Sequence, residues 1–259
     1  MKTIKQFLQI SFLLVLFVSC ESRKNIILFQ DIETLDQIEQ NNILINNPII
    51  QIGDLLSISV SAIDLEAVKP FNLPVVAINN ISGTVNGVPK QQGYLVNADY
   101  SIIFPILGEI NLKGLNLVEA RALVAKKLKN YIKEPIVNIE IINYQITVLG
   151  DVSRPGTFKV NNERISLLQA IGMAGGLNIQ GKRNNILIIR ENQGKKTYKR
   201  VDLRKMDVLN SEYYYLKQND VVYIEPNKTK INSSKYGPAV SVSVSIASVL
   251  ITLISVLTR

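Results

Sequence analysis

The sequence predicts an α+β chain of two small mixed modules followed by a C-terminal transmembrane helix. Three observations carry that expectation. Short runs that alternate apolar and polar residues flank a single helix-period segment twice, over 94–144 and again over 145–227. Pro238 to Thr258 carries no charge, and at ~1.5 Å per residue it is long enough to cross a ~30 Å hydrocarbon core. At the other end, Lys2 and Lys5 precede an uncharged stretch from Phe7 to Val18, closed by Ser19 and Cys20. That is the layout of an export signal ending at a cysteine.

The N-terminal elements follow from this. Residues 1–19 are expected to be removed, leaving Cys20 as the acylated first residue of a lipoprotein. Phe17 departs from the Leu, Val or Ile usual at that point of such a signal. Several acyl chains on one cysteine would anchor stably, where a single chain binds only marginally. Residues 20–47 are polar, rich in Asn and Gln and without period, so they read as a leader with little core. In 48–64 apolar and polar residues alternate around a Gly53-Asp54 turn, and Leu55 to Ala62 is expected to be a strand. Residues 66–92 hold three prolines and two glycines and no sustained pattern. They read as an insertion with short strands at best.

The rest of the first module is more regular. Ser101–Phe104 and Glu109–Leu112 read as strands around the Pro105-Ile106-Leu107-Gly108 turn. Asn116 is the expected N-cap of a helix, with Glu119 at capping-box spacing. Leu117, Ala120, Val124, Leu128 and Tyr131 share its inward face. Pro135 is expected to stop that helix, and Ile136–Ile142 alternates as a strand. In the second module Ile146–Leu149 and Thr157–Val160 read as strands joined by turns. Ser166 caps a short helix, with Gln169 three residues later; Leu168, Ile171 and Ala174 face inward, and Gly175-Gly176 closes it. Ile186–Arg190, Thr197–Val201 and Val221–Ile224 are further strands. Strand–turn–strand–helix–strand is the order of a β-grasp.

Composition excludes several chemistries. The chain has no His, so histidine acid–base catalysis and histidine metal sites are out. Cys20 is its only cysteine, so no intramolecular disulfide forms. Asp99 and Glu109 form no motif with other residues, Ser166 lacks a histidine partner, and no P-loop lysine follows the turn glycines. No cofactor is expected and the chain reads as a non-enzyme. Formal charge is +8, with basic residues concentrated in 126–133 and 181–205. Aromatics are not interleaved as a nucleic-acid surface wants, so no nucleic-acid partner is expected. Solvated faces, or attraction to an acidic polymer or lipid headgroups, remain open for these patches. Arg154, Arg183 and Arg190 read as salt-pair or solvent contacts before polymer contacts.

The segments GDLLSISV, YLVNADYSIIFPILGEINLKGLNLVEARALVAKKL and PIVNIEI resemble the export domain of the outer-membrane polysaccharide export family, the Wza-like proteins. ITVLGDVSRPGTFKV, ISLLQAIGMAGGL and YYLKQNDVVYI resemble its SLBB (soluble-ligand-binding β-grasp) domain. The resemblance covers roughly 48–227 outside 66–92. It departs in having one SLBB-like module where several relatives have two, in Asn116 where Thr is usual, and in Asn97 where Asp is frequent. It implies a polysaccharide-export domain at 48–144, one SLBB β-grasp domain at 145–227, a linker at 228–236 and a transmembrane helix at 237–259. It further implies a homo-oligomer ring, the export domain toward the periplasm, an inner-membrane polysaccharide copolymerase/kinase as partner, and capsular polysaccharide or exopolysaccharide leaving through a central lumen.

The tail has its own pattern. Ser241, Ser245, Ser248, Thr252 and Ser255 recur at intervals of 4, 3, 4 and 3, one stripe along a helix. The stripe either lets neighbouring helices approach closely or lines a wet lumen. Lys228, Lys230 and Lys235 before the tail sit on the disfavoured side for an inner-membrane helix, which favours the outer membrane. Two other readings stay open: a membrane-tethered periplasmic saccharide-binding module without a pore, and an inner-membrane chain-length regulator.

Overall fold

The structure is a computed structural model, and it describes residues 23–31, 48–74, 76–77, 89–90, 92–192 and 194–235, together with 245–246, 248–249 and 252. The expected signal segment 1–19, Cys20 and most of the tail lie outside these residues.

In the first module, β1 (Leu55–Ser61) is the centre of a three-stranded antiparallel sheet, flanked by β4 (Tyr94–Leu95) and β7 (Ile136–Ile141). Alternation drives the pairing: Leu56, Ile58 and Val60 are buried, while Ser59 and Ser61 are exposed. Between β1 and β4 lie α1 (Leu65–Val68) and the short pair β2 (Val76–Ala77) with β3 (Pro89–Lys90). A hairpin of β5 (Ser101–Phe104) and β6 (Gly108–Asn111) follows. Then α2 (Leu117–Leu128) packs on β7. Its capping box is complete: the Asn116 carboxamide oxygen accepts from Glu119 N at 3.0 Å, and the Glu119 carboxylate accepts from Asn116 N at 2.9 Å.

The second module is a five-stranded mixed sheet in the order β12-β11-β14-β8-β9. Its strands are β8 (Gln145–Gly150), β9 (Gly156–Lys159), β11 (Gly181–Asn192), β12 (Lys195–Val201) and β14 (Val221–Pro226). β14 and β8 run parallel, as a β-grasp requires of its central pair, and the other neighbours are antiparallel. The small pair β10 (Ile165–Ser166) and β13 (Tyr215–Leu216) leads into α3 (Leu167–Met173). Ser166 caps α3 with a second complete box, and Gly175 and Gly176 adopt positive φ just beyond it. The two cores meet at Ile141, which packs against both.

Five expectations need correction. Tyr131 is exposed, and Ile132 takes the buried place, because α2 ends at Leu128, well before Pro135. In α3, Leu167 and Ala170 join Ile171 and Ala174 in the core, whereas Leu168 is only partly buried. The start of the 66–92 insertion is part of the core: Val68 and Phe71 are buried, and Asn72 donates to and accepts from the Val60 backbone at 2.8 Å. The leader is not core-free either. Leu28 and Phe29 pack against the second module, and Phe29 N and Gln30 N donate to the carbonyls of Leu203 and Arg204. Lastly, the 228–236 linker contains α4 (Lys228–Lys235), whose start is capped by the Asn227 side chain accepting from Lys230 N at 2.9 Å.

No helix among the described residues is long and apolar enough to cross a membrane. The expected transmembrane helix at 237–259 lies largely outside those residues. Ser245, Ile246, Ser248, Val249 and Thr252 are helical.

Candidate functional site

Three regions bear on function: the tail stripe, the attachment of tail and leader to the second module, and the junction between modules. Of the stripe, Ser241 and Ser255 lie outside the described residues, as does Cys20. Ser245, Ser248 and Thr252 are described and exposed. The Ser248 hydroxyl donates to the Ser245 carbonyl, and the Thr252 hydroxyl to the Ser248 carbonyl, both at 2.8 Å. Each hydroxyl proton is thus satisfied by its own helix, the arrangement that makes Ser and Thr tolerable beside lipid or a close-packed neighbour.

The helix before the tail is fastened to the body by charge. Lys230 Nζ lies 2.5 Å from Oδ1 of Asp151, whose side chain is 1% exposed. Asn178 donates to the same oxygen at 2.8 Å. Burial alone would raise the Asp151 pKa, but the Lys230 and Asn178 hydrogen bonds outweigh it and hold the carboxyl below its usual range. The leader is fastened to the 203–206 segment of the same module, where the Asp31 carboxylate accepts from Met206 N at 2.9 Å.

At the junction, Asn143 holds both modules. Its carboxamide accepts from Leu55 N at 2.8 Å and donates to the Gly53 carbonyl at 2.9 Å, while its own carbonyl accepts from Gln218 at 2.8 Å. Arg121 of α2 adds an ion pair to Glu163 and donates to the Ile139 carbonyl at 2.9 Å. Beside this clamp Asp54 is 1% exposed; Oδ2 accepts from Gln51 N at 2.8 Å, and Oδ1 has no partner among the described residues. Burial lifts its pKa to about 6, with the Gln51 hydrogen bond offsetting only part. The folded state therefore holds a proton that the unfolded chain has released, and stability falls as pH rises from 3.8 to about 6 and stays lowered above. Asp54→Asn is expected to gain about 2–3 kcal/mol over the parent at pH 7.5. That gap should close by pH 4 in paired urea titrations. A gap independent of pH would mean that Asp54 does not titrate in this window.

The remaining sequence candidates separate cleanly. Asp99 and Glu109 are both exposed, and Glu109 accepts from the Ser101 hydroxyl; Ser166 is a helix cap. Arg190 is paired with Asp220, and Arg183 is buried and donates to the Ile179 and Gly181 carbonyls. Arg154 is exposed. No group of three or more His, Cys, Asp or Glu among the described residues could hold a metal ion. The Asp151–Lys230 attachment and the Asn143 clamp went unseen in the sequence. Their partners are distant in the chain, and only the Gly-Asp turns at 53–54 and 150–151 marked the places.

Comparison with known proteins adds the family. Residues 45–142 match the family described as polysaccharide biosynthesis/export protein, and residues 144–224 match the SLBB domain. The chain belongs to the Wza-like polysaccharide-export family. It is similar to a protein of Ralstonia solanacearum named EPS I polysaccharide export outer membrane protein EpsA, 27% identical over 55% of this chain and 38% of the relative. It is also similar to the protein of that name from Ralstonia nicotianae, 29% identical over 49% of this chain and 34% of the relative. The matched stretch thus spans little more than a third of these relatives' length.

Proposed function

We propose that this chain is a non-enzymatic outer-membrane lipoprotein. Its homo-oligomer exports capsular polysaccharide or exopolysaccharide through a central lumen, with an inner-membrane copolymerase/kinase supplying work and timing. The observation that carries the reading is the pairing of an export domain with an SLBB domain in a chain whose relatives are named as outer-membrane export proteins.

The attachments support an orientation. Cys20 precedes Arg23 by three residues, a reach of ~10 Å at most, and the docked leader lies on the second module. The helix α4, which leads to the tail, is fastened to that same module through Asp151. Attachment of the leader and of α4 to one module supports a reading with that module at the membrane and the export domain toward the periplasm. The tail then crosses the outer membrane, with the Ser245–Ser248–Thr252 stripe packed or wet and the aliphatic arc toward lipid.

A peptide tag after Arg259 tests this. Surface labelling in intact cells is expected, and a strain lacking the protein should lose its surface polymer. Ser248→Leu with Thr252→Leu should keep the tag outside but abolish export. A tag protected until the outer membrane is permeabilised would move the tethered saccharide-binding module ahead.

A further inference from the structure

We infer that β12 and the sheet edge it forms are a docking ledge for an acidic polysaccharide, so that the polymer handled by this chain is a polyanion. The inference rests on the export reading and names the substrate class within it.

The geometry starts with an open edge. Among the described residues β12 is the last strand of its sheet and pairs only with β11. Along its outer side, alternate backbone N–H and C=O groups have no strand partner among the described residues, and such groups hydrogen-bond well to sugar hydroxyls. The strand reads Lys-Lys-Thr-Tyr-Lys-Arg-Val, and every residue but Val201 is exposed. Strand alternation places Lys196, Tyr198 and Arg200 on one face and Lys195 and Lys199 on the other, with like-facing residues ~7 Å apart. Cations therefore flank the open edge on both sides.

Charge balance gives the sign of the ligand. Glu225 is the one carboxylate shared by Arg200 at 2.8 Å and Lys182 at 2.9 Å. Lys196 meets Glu191 only at 3.8 Å, with both side chains more than half exposed. Lys195 and Lys199 have no carboxylate within ion-pair distance among the described residues. Tyr198, 64% exposed at the middle of the strand, offers a ring face to the C–H face of a sugar. Edge lysines also deter strand–strand pairing, but one or two charges do that, and deterrence requires no exposed tyrosine. A lipid surface would want large apolar side chains beside the cations, and β12 exposes no aliphatic one.

The test uses the full-length protein in detergent with two soluble polymers, alginate as the acidic probe and dextran as the neutral one. Alginate should bind and dextran should not, with affinity falling about tenfold as salt screens the exposed cations. K195Q/K196Q/K199Q/R200Q should weaken alginate binding about tenfold or more, since four screened charges act together, with the thermal midpoint unchanged. Should that variant fold poorly, K195Q/K199Q changes only the two cations without a carboxylate and should still weaken binding severalfold. Y198A should weaken binding without altering its salt dependence. Equal retention of alginate and dextran, or unaltered alginate binding by the folded variants, overturns the ledge. So does a variant that keeps its alginate binding but loses affinity for detergent micelles doped with phosphatidylglycerol. Cells separate the two readings: normal surface polymer in a null strain sinks the export reading. A null strain rescued by a variant that no longer binds alginate sinks the ledge alone.

Discussion

Asp220→Ala is expected to destabilise the second module by about 3–5 kcal/mol, because it strands a buried guanidinium. The Asp220 side chain is fully buried and that of Arg190 is 8% exposed. Arg190 Nε donates to Oδ1 at 3.0 Å and its terminal nitrogen to Oδ2 at 2.7 Å, a bidentate pair. Oδ2 also accepts from Lys217 N at 2.8 Å, so the carboxylate organises the turn before β14 as well. The guanidinium has other neighbours: it lies 4.6 Å over the Tyr213 ring and donates to the Tyr215 carbonyl at 3.1 Å. None of these neutralises it. A domain whose total stability is on the order of 5–15 kcal/mol keeps little margin after that loss. Urea unfolding followed by far-UV circular dichroism checks it, with the midpoint falling steeply. Replacing both partners, Arg190→Met with Asp220→Leu, should recover most of the loss, since the desolvation of both charges goes with them. A shift under about 1 kcal/mol for Asp220→Ala would mean that water reaches the guanidinium.

This pair marks the boundary of what the sequence could disclose. Both capping boxes were legible, because Asn116 with Glu119 and Ser166 with Gln169 are local chemistry at a fixed spacing of three. The burial of Ile58, Val60 and Ile139 followed from alternation alone. Tyr131 was misplaced because a helical period extrapolates past its own end, and where α2 stops depends on the turn that carries the chain into β7. The docked leader was invisible for another reason. Leu28 and Phe29 stand in a polar stretch without period, and their partners lie more than a hundred residues away. The helix α4 has a single apolar residue, Ile231, so no hydrophobic period announces it; what fixes it is the Lys230–Asp151 contact. The periodicity of the tail stripe was readable, whereas the return of the Ser248 and Thr252 hydroxyls to their own backbone was not. Pairings set by distant parts of the chain carry no local signature.

Gly150→Ala is expected to disrupt the centre of the same module, at about 3 kcal/mol or more. Gly150 closes β8 at φ +92°, a conformation that residues with a Cβ rarely adopt. A Cβ there would stand 2.0 Å from the Ile224 carbonyl oxygen, a backbone atom of the neighbouring parallel strand β14. That oxygen accepts from Asp151 N at 2.9 Å, so the close approach is the strand pairing itself. Room for a methyl group is made only by parting β8 from β14, at the middle of a five-stranded sheet. The damage extends to the attachment of α4. Asp151 is the next residue, and its carboxylate holds Lys230 of the helix that leads to the tail. Gly150→Ala should therefore lower the unfolding midpoint and also make α4 sensitive to limited proteolysis before the body unfolds. Gly156→Ala is the matched control, because its added Cβ meets nothing within 4 Å and its φ is not positive. It should stay within about 0.5 kcal/mol of the parent. If the two variants melted alike, the β8–β14 register would be loose enough to shift. The tie between the sheet and the tail would then have to run through contacts other than Asp151.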